Sequence, residues 1–210
     1  FSSDNGPARS GPGTKLKLMF DSATGEGFNV AAAKGLTGGR KGYKASLLEG
    51  GIGVPFIARW PGHLPVGKKD KTSIFSAVDL LPTFCELAAV ELPSDYHPDG
   101  LSQIDMLNGK GTATRTKPLF WKSVAPWPAP KNRPDHWVAY AVVYQNWKLV
   151  GNRDLSYLEL YNLVEDPMEK TDHQTERPEV VAELKKMIQQ WQATLPAKPT
   201  GDVFSKLRQQ

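Results

Sequence analysis

Asp4 and Asn5 stand side by side in "FSSDNGP", and they are the first residues of this 210-residue sequence whose types could do chemistry together. A carboxylate and an amide both offer oxygen ligands, which suit a hard cation such as calcium or magnesium. Neighbours in a strand point to opposite faces, so both reach one ion only if the chain turns at once. Gly6-Pro7 permits that turn. Asp-Asn-Gly is also ordinary turn chemistry, so the pair alone leaves both readings open. A second group lies in "KGYKASLLEGG". There Lys44 precedes Glu49-Gly50-Gly51, which predicts a turn where the backbone approaches something closely. A lysine in a glycine-lined pocket is a point charge for a phosphate or sulfate oxygen, whereas an isolated lysine is far more often a solvated loop residue.

The remaining reactive residue types say less. Cys85 is the single cysteine, which excludes an internal disulfide and a cysteine-based zinc site. It falls in "AVDLLPTFCELAAV", on an expected buried helix face, and reads as a small core hydrophobe. His63 and His97 read as surface histidines. The net charge of +4 is mild, and the basic residues are scattered rather than blocked, so nothing points to nucleic acid. No apolar run approaches the ~20 residues a membrane helix needs.

These residues must be positioned by elements that change character along the chain. Residues 7–45 are polar and rich in glycine and lysine, without clean periodicity, with a helix expected around Val30–Lys34. "VPFIARW" (54–60) reads as a buried strand and residues 76–90 as an amphipathic helix. Pro82 inside that helix predicts a kink or a late start. A short helix is expected over 100–109, closed by Gly109. "PLFWK", "WVAYAVVYQ", "WKLVG" and "YLELYNL" then read as an antiparallel meander. Pro178 opens a last helix whose Val181, Leu184, Ile188, Trp191 and Leu195 form one face to pack on that meander. The division expected is residues 1–112, mixing strands and helices, and 113–210, an antiparallel sheet with a terminal helix and tail.

"SDNGP", "KASLLEGGIGVPFIARWPGHLPVG", "VDLLPT", "DGL", "PLFW", "WKLV", "ELYNLVEDPMEK" and "PEVVAELKKMIQQW" form a long ordered series. Together they resemble the C-terminal portion of the sulfatase family, within the alkaline-phosphatase-like superfamily. The resemblance implies an α/β fold. It would hold the C-terminal part of a mixed-sheet α/β/α domain plus a small α+β subdomain with an antiparallel sheet and C-terminal helix. It implies hydrolysis of sulfate esters, on a sulfated carbohydrate, with Asp4 and Asn5 as ligands of a divalent cation, usually calcium. Lys44 matches the lysine that contacts the substrate sulfate, and Lys41 lies close enough to compete for that role. Ala45 replaces the glycine usual after that lysine, and Leu48 stands where an aromatic is common.

The family's nucleophile is a formylglycine made within a C/S-x-P-x-R signature, and that signature does not occur here. The resemblance therefore implies that the nucleophile lies upstream of this chain, which alone would be inactive. Loops of the C-terminal region often read the rest of a sulfatase substrate. In the Pro- and aromatic-rich loop 123–137, Trp127, Arg133, His136 and Trp137 are candidates to stack on and hydrogen-bond a sugar. The resemblance places the protein in a periplasm or outside the cell. The rival readings are a phosphodiesterase or phosphonate hydrolase of the same superfamily, and a non-catalytic module that binds polyanionic glycans.

Overall fold

Alternation of side chains along the second half of the chain determines what covers each face of its sheet. The computed structural model describes residues 1–7, 17–20, 27–29, 37–110, 115–123 and 137–196. In chain order the elements are β1 (Lys17–Phe20), β2 (Gly27–Asn29), α1 (Glu49–Ile52), α2 (Leu80–Leu87), α3 (Ile104–Leu107), β3 (Leu119–Lys122), β4 (Tyr140–Tyr144), β5 (Trp147–Gly151), β6 (Leu158–Asn162) and α4 (Pro178–Thr194). A turn of 3-10 helix over Ala77–Asp79 leads into α2. Strands β3 to β6 form an antiparallel meander in sequence order, as the sequence predicts.

In β4, β5 and β6, Val142, Leu149 and Leu160 lie on one face, where they pack with Leu184 and Ile188 of α4. Phe120 of β3 stacks flat on Trp191 of α4, with ring centroids 5.0 Å apart. The predicted face of α4 is thus the packed one as far as Trp191, while Leu195 falls just past the helix end at Thr194. Pro178 begins the helix, where its missing N–H costs nothing, and Glu179 sits where the helix dipole favours an acid. On the other face Ala141, Val150 and Tyr161 pack against Leu47 and Leu48, the segment that leads into α1. The sheet is covered on both sides, and one cover is the segment that carries Lys44.

Several expectations need correction. Residues 54–60 do not form a buried strand. They make a single antiparallel bridge, Ser2 with Phe56, flanked by reciprocal backbone bonds between Phe1 and Ile57. Ile57 and Trp60 are exposed, because among the described residues this stretch has no further strand to pair with. The helix expected over 76–90 starts late, at Leu80, so Pro82 falls in its first turn, where proline is tolerated. Its apolar face is largely open. Val78, Leu81 and Phe84 are exposed and Cys85 is only half-buried, while Thr83 is the buried position. The helix expected over 100–109 is cut to Ile104–Leu107. Within 7–45, the paired strands β1 and β2 went unread for want of periodicity. The helix expected at Val30–Lys34 lies outside the described residues.

Candidate active site

Three turns are woven together by backbone hydrogen bonds. The Gly6 N–H donates to Gly51 O at 2.7 Å, the Lys44 N–H to Pro7 O at 2.9 Å, and the Gly50 N–H to Lys41 O at 2.6 Å. Glycine is required at the crossing. A Cβ on Gly6 would lie 1.9 Å from Gly50 O, and a Cβ on Gly50 would lie 2.1 Å from Gly42 O. The close approach expected of Glu49-Gly50-Gly51 is therefore an approach to the Asp4-Asn5-Gly6 turn itself.

The result is a cavity of about 680 Å3 lined by Asn5, Gly6, Arg40, Lys44, Gly50 and Gly53 among others. Lys44 is exposed, and among the described residues its ammonium has no carboxylate partner. Ala45 beside it holds φ at 73°, in the left-handed region that disfavours any residue with a Cβ. Asn5 Nδ2 donates to Asp4 Oδ1 at 3.0 Å. The amide nitrogen of Asn5, not its oxygen, faces that carboxylate, and Asp4 is exposed. Among the described residues no cluster of three or more His, Cys, Asp or Glu side chains could hold a metal.

Lys41 is committed elsewhere. Its ammonium donates to Glu159 Oε2 at 2.9 Å and to Tyr161 Oη at 2.6 Å, and the Tyr161 hydroxyl donates to the same Glu159 carboxylate. Burial, then the hydrogen bond to Glu159 and its charge, push the Tyr161 phenol well above the usual tyrosine range. Of the two competing lysines, the structure puts Lys44 on the cavity and Lys41 against the sheet.

Beneath the cavity lies an ion cluster that the sequence reading missed. The fully buried Lys148 ammonium donates to Glu49 Oε1 at 2.8 Å and forms an ion pair with Glu169 Oε1 at 2.9 Å. Glu169 Oε2 also accepts the Glu49 N–H at 2.7 Å. Burial alone would lower the Lys148 pKa, yet the two carboxylates outweigh it and hold the ammonium above the usual lysine value. Glu169 is pushed up by burial, and the charge of Glu49 adds to that while Lys148 opposes it. The available signal was a lysine inside the apolar run of "WKLVG". A second buried pair, Arg115 with Asp79, is bidentate at 2.8 and 2.9 Å, and Asp79 also accepts the Ser76 and Leu101 N–H groups.

Trp137 does not reach the cavity. It packs against the Leu47–Leu48 cluster and meets Tyr157 edge-on at 4.7 Å. The sugar-binding expectations for Trp127, Arg133 and His136 lie outside the described residues. His63 and His97 are both exposed, as expected, and His63 stacks on Trp60.

Residues 41–194 match the family model described as "N-sulphoglucosamine sulphohydrolase, C-terminal". The chain belongs to this sulphohydrolase C-terminal family. The sulfatase resemblance of the sequence is thereby confirmed. The N-acetylgalactosamine-6-O-sulfatase of Bacteroides thetaiotaomicron is 28% identical over 202 residues, which cover 90% of this chain and 35% of that protein. The uncharacterized sulfatase YdeN of Escherichia coli K12 is 28% identical over 181 residues, covering 74% of this chain and 32% of that protein. The chain thus spans about a third of the length of these relatives.

Among solved structures, one from the metabolism of multiple glycosaminoglycans by Bacteroides thetaiotaomicron superposes with a TM-score of 0.55 at 26% identity. That match covers 74% of this chain and 32% of the other. Ps i-CgsB, in complex with k-i-k-neocarrahexaose, gives 0.60 at 23% identity over 91% of this chain and 35% of that one, a likeness of fold. The α/β fold expected from the sulfatase resemblance is the fold observed. Among the described residues no helix is long and apolar enough to cross a membrane.

Proposed function

We propose that this chain supplies the sulfate-facing part of a sulfatase that hydrolyses sulfate esters of a sulfated carbohydrate. One arrangement carries the reading. The Asp4-Asn5 turn and Lys44 are joined through Gly6, Pro7 and Gly51, and Asn5 and Lys44 line one cavity. Lys41, the rival cation, is tied to Glu159 and Tyr161.

Asp4 and Asn5 would hold a divalent cation, calcium by the family resemblance, and their oxygen donors suit it in kind. When bound, such an ion polarises a sulfate oxygen and orients the ester. Lys44 adds positive charge where negative charge accumulates in the transition state, from a position fixed by its own backbone bond to Pro7. Lys148 and Glu169 keep the Glu49 turn beneath it. The nucleophile, a formylglycine in this family, would come from sequence outside this chain. A periplasmic or extracellular setting accords with the same reading.

The test is a graft. The chain replaces the matching third of the Bacteroides thetaiotaomicron relative, and sulfate and phosphate esters are assayed side by side. Sulfate-ester turnover that falls by about a hundredfold or more with Lys44→Ala is the expected result. Equal turnover of phosphate esters would point to the phosphodiesterase reading. Unchanged turnover with Lys44→Ala would remove Lys44 from the chemistry.

A further inference from the structure

We propose that Glu169, held by the buried Lys148, is a positioning residue for Lys44: with the Met168 carbonyl it clamps both ends of loop 41–49, which carries the lysine. This rests on the sulfate-ester reading of Lys44 and adds to it what fixes that lysine in place.

One turn meets the loop at both of its feet. At the first foot the Lys41 N–H donates to Met168 O at 3.2 Å, and at the second the Glu49 N–H donates to Glu169 Oε2 at 2.7 Å. The feet also bond each other, the Gly50 N–H donating to Lys41 O at 2.6 Å. Between them the Lys44 N–H reaches Pro7 O, and just past the second foot Gly51 O accepts the Gly6 N–H. The loop that carries Lys44 and the turn that carries Asp4 and Asn5 therefore share one support.

Lys148 keeps the clamp closed. It stands on β5, paired with Tyr161 of β6, and its fully buried ammonium meets both the Glu49 and the Glu169 carboxylates. Without that charge the two carboxylates would repel each other, and Glu169 would be buried with no counter-ion. The turn itself is held under strain. Glu169 has a φ of 56°, in the left-handed region that disfavours a residue with a Cβ. Such strain persists where surrounding contacts over-determine the backbone. Here the Glu169 N–H donates to Asp166 O at 3.1 Å, and the Asp166 carboxylate accepts the Lys170 and Thr171 N–H groups.

The first test reads the loop directly, by NMR on the 210-residue chain. In the unaltered chain the amides of Lys41, Lys44 and Glu49 should exchange hydrogen with one common opening free energy. Three separate opening free energies would overturn the clamp, whether or not any variant folds. With Glu169→Ala the backbone order parameters of Lys44 and Glu49 should fall from about 0.85 to below about 0.6, while those of β4 and β5 stay unchanged. Glu169→Gln, whose amide oxygen can accept the same Glu49 N–H, should restore part of that order. A loop as ordered in Glu169→Ala as in the unaltered chain would overturn the proposal.

The second test reads turnover of a sulfate ester in the graft onto the Bacteroides thetaiotaomicron relative, as a cycle of Glu169→Ala and Lys44→Ala. Glu169→Ala alone should lower kcat by about ten- to a hundredfold, the cost of a misplaced group at the site. On the Lys44→Ala background it should cost less than about twofold, because its effect passes through that lysine. Losses that multiply would show Glu169 acting by another route and would overturn the positioning role. If Lys44→Ala itself leaves turnover unchanged, the sulfate-ester reading fails, and the loop order in Glu169→Ala decides the clamp separately.

Discussion

Gly6 and Gly50 meet backbone to backbone: a Cβ on the first would lie 1.9 Å from the carbonyl oxygen of the second. This contact brings a turn at residue 4 to a lysine at residue 44, and it admits no side chain. Gly50→Ala should therefore destabilise the fold by about 1–3 kcal/mol or more, since the clash is with backbone atoms of Lys41 and Gly42. The denaturation midpoint checks this. Gly62→Ala is the control. There φ is +79° with nothing within 4 Å, so only the left-handed penalty of about 1–2 kcal/mol applies.

Ala45 holds a conformation that suits glycine. Ala45→Gly should stabilise the chain by about 0.5–1 kcal/mol, the left-handed penalty less the extra freedom glycine has when unfolded. A raised midpoint with unchanged m-value is the expected signature. A lowered midpoint would show that the Ala45 methyl makes a compensating contact.

Lys148 answers two carboxylates with one buried charge. Lys148→Met should cost about 3–5 kcal/mol, because Glu169 is left buried without a counter-charge. Adding Glu169→Gln should recover part of that loss, since the amide oxygen can still accept the Glu49 N–H. A double mutant as unstable as Lys148→Met alone would argue that packing, not charge, sets the effect.

The alkaline limit of stability follows from two protons. Lys148 and Tyr161 both have folded-state pKa values above the ordinary lysine and tyrosine values of 10.5 and 10.0. A group whose folded pKa is raised contributes stability that is fully present below the unfolded value and is lost as pH rises through the folded one. These two contributions should therefore be intact up to about pH 10 and fade above it. Melting temperatures from pH 7 to pH 11.5 test this, and Tyr161→Phe should make the alkaline decline shallower.

The meander and its helix were legible in the sequence because short runs rich in aromatic and aliphatic residues between polar turns mark the strands, and Leu184 and Ile188 recur at helical spacing. The first half was harder to read. Residues 54–60 look apolar enough for a buried strand, yet burial needs neighbours, and the sequence of one stretch does not display them. The meeting of Asn5 with Lys44 was legible only through family resemblance, since glycine contacts carry no periodic signal. The ion cluster was missed because Lys148, Glu49 and Glu169 are distant in sequence, and pairing of charges has no local pattern. Which lysine faces the cavity required the position of Glu159, fixed by strand register.

The bond from Lys148 to Glu49 joins positions 99 residues apart. A chimaera cut near residue 113 would inherit a lysine from one parent and its carboxylates from both. Shuffling among sulfatases at that seam should then succeed only between parents that carry the same charges at all three positions. Compatibility across the seam is a matter of matching electric parts, whatever the overall identity of the two halves.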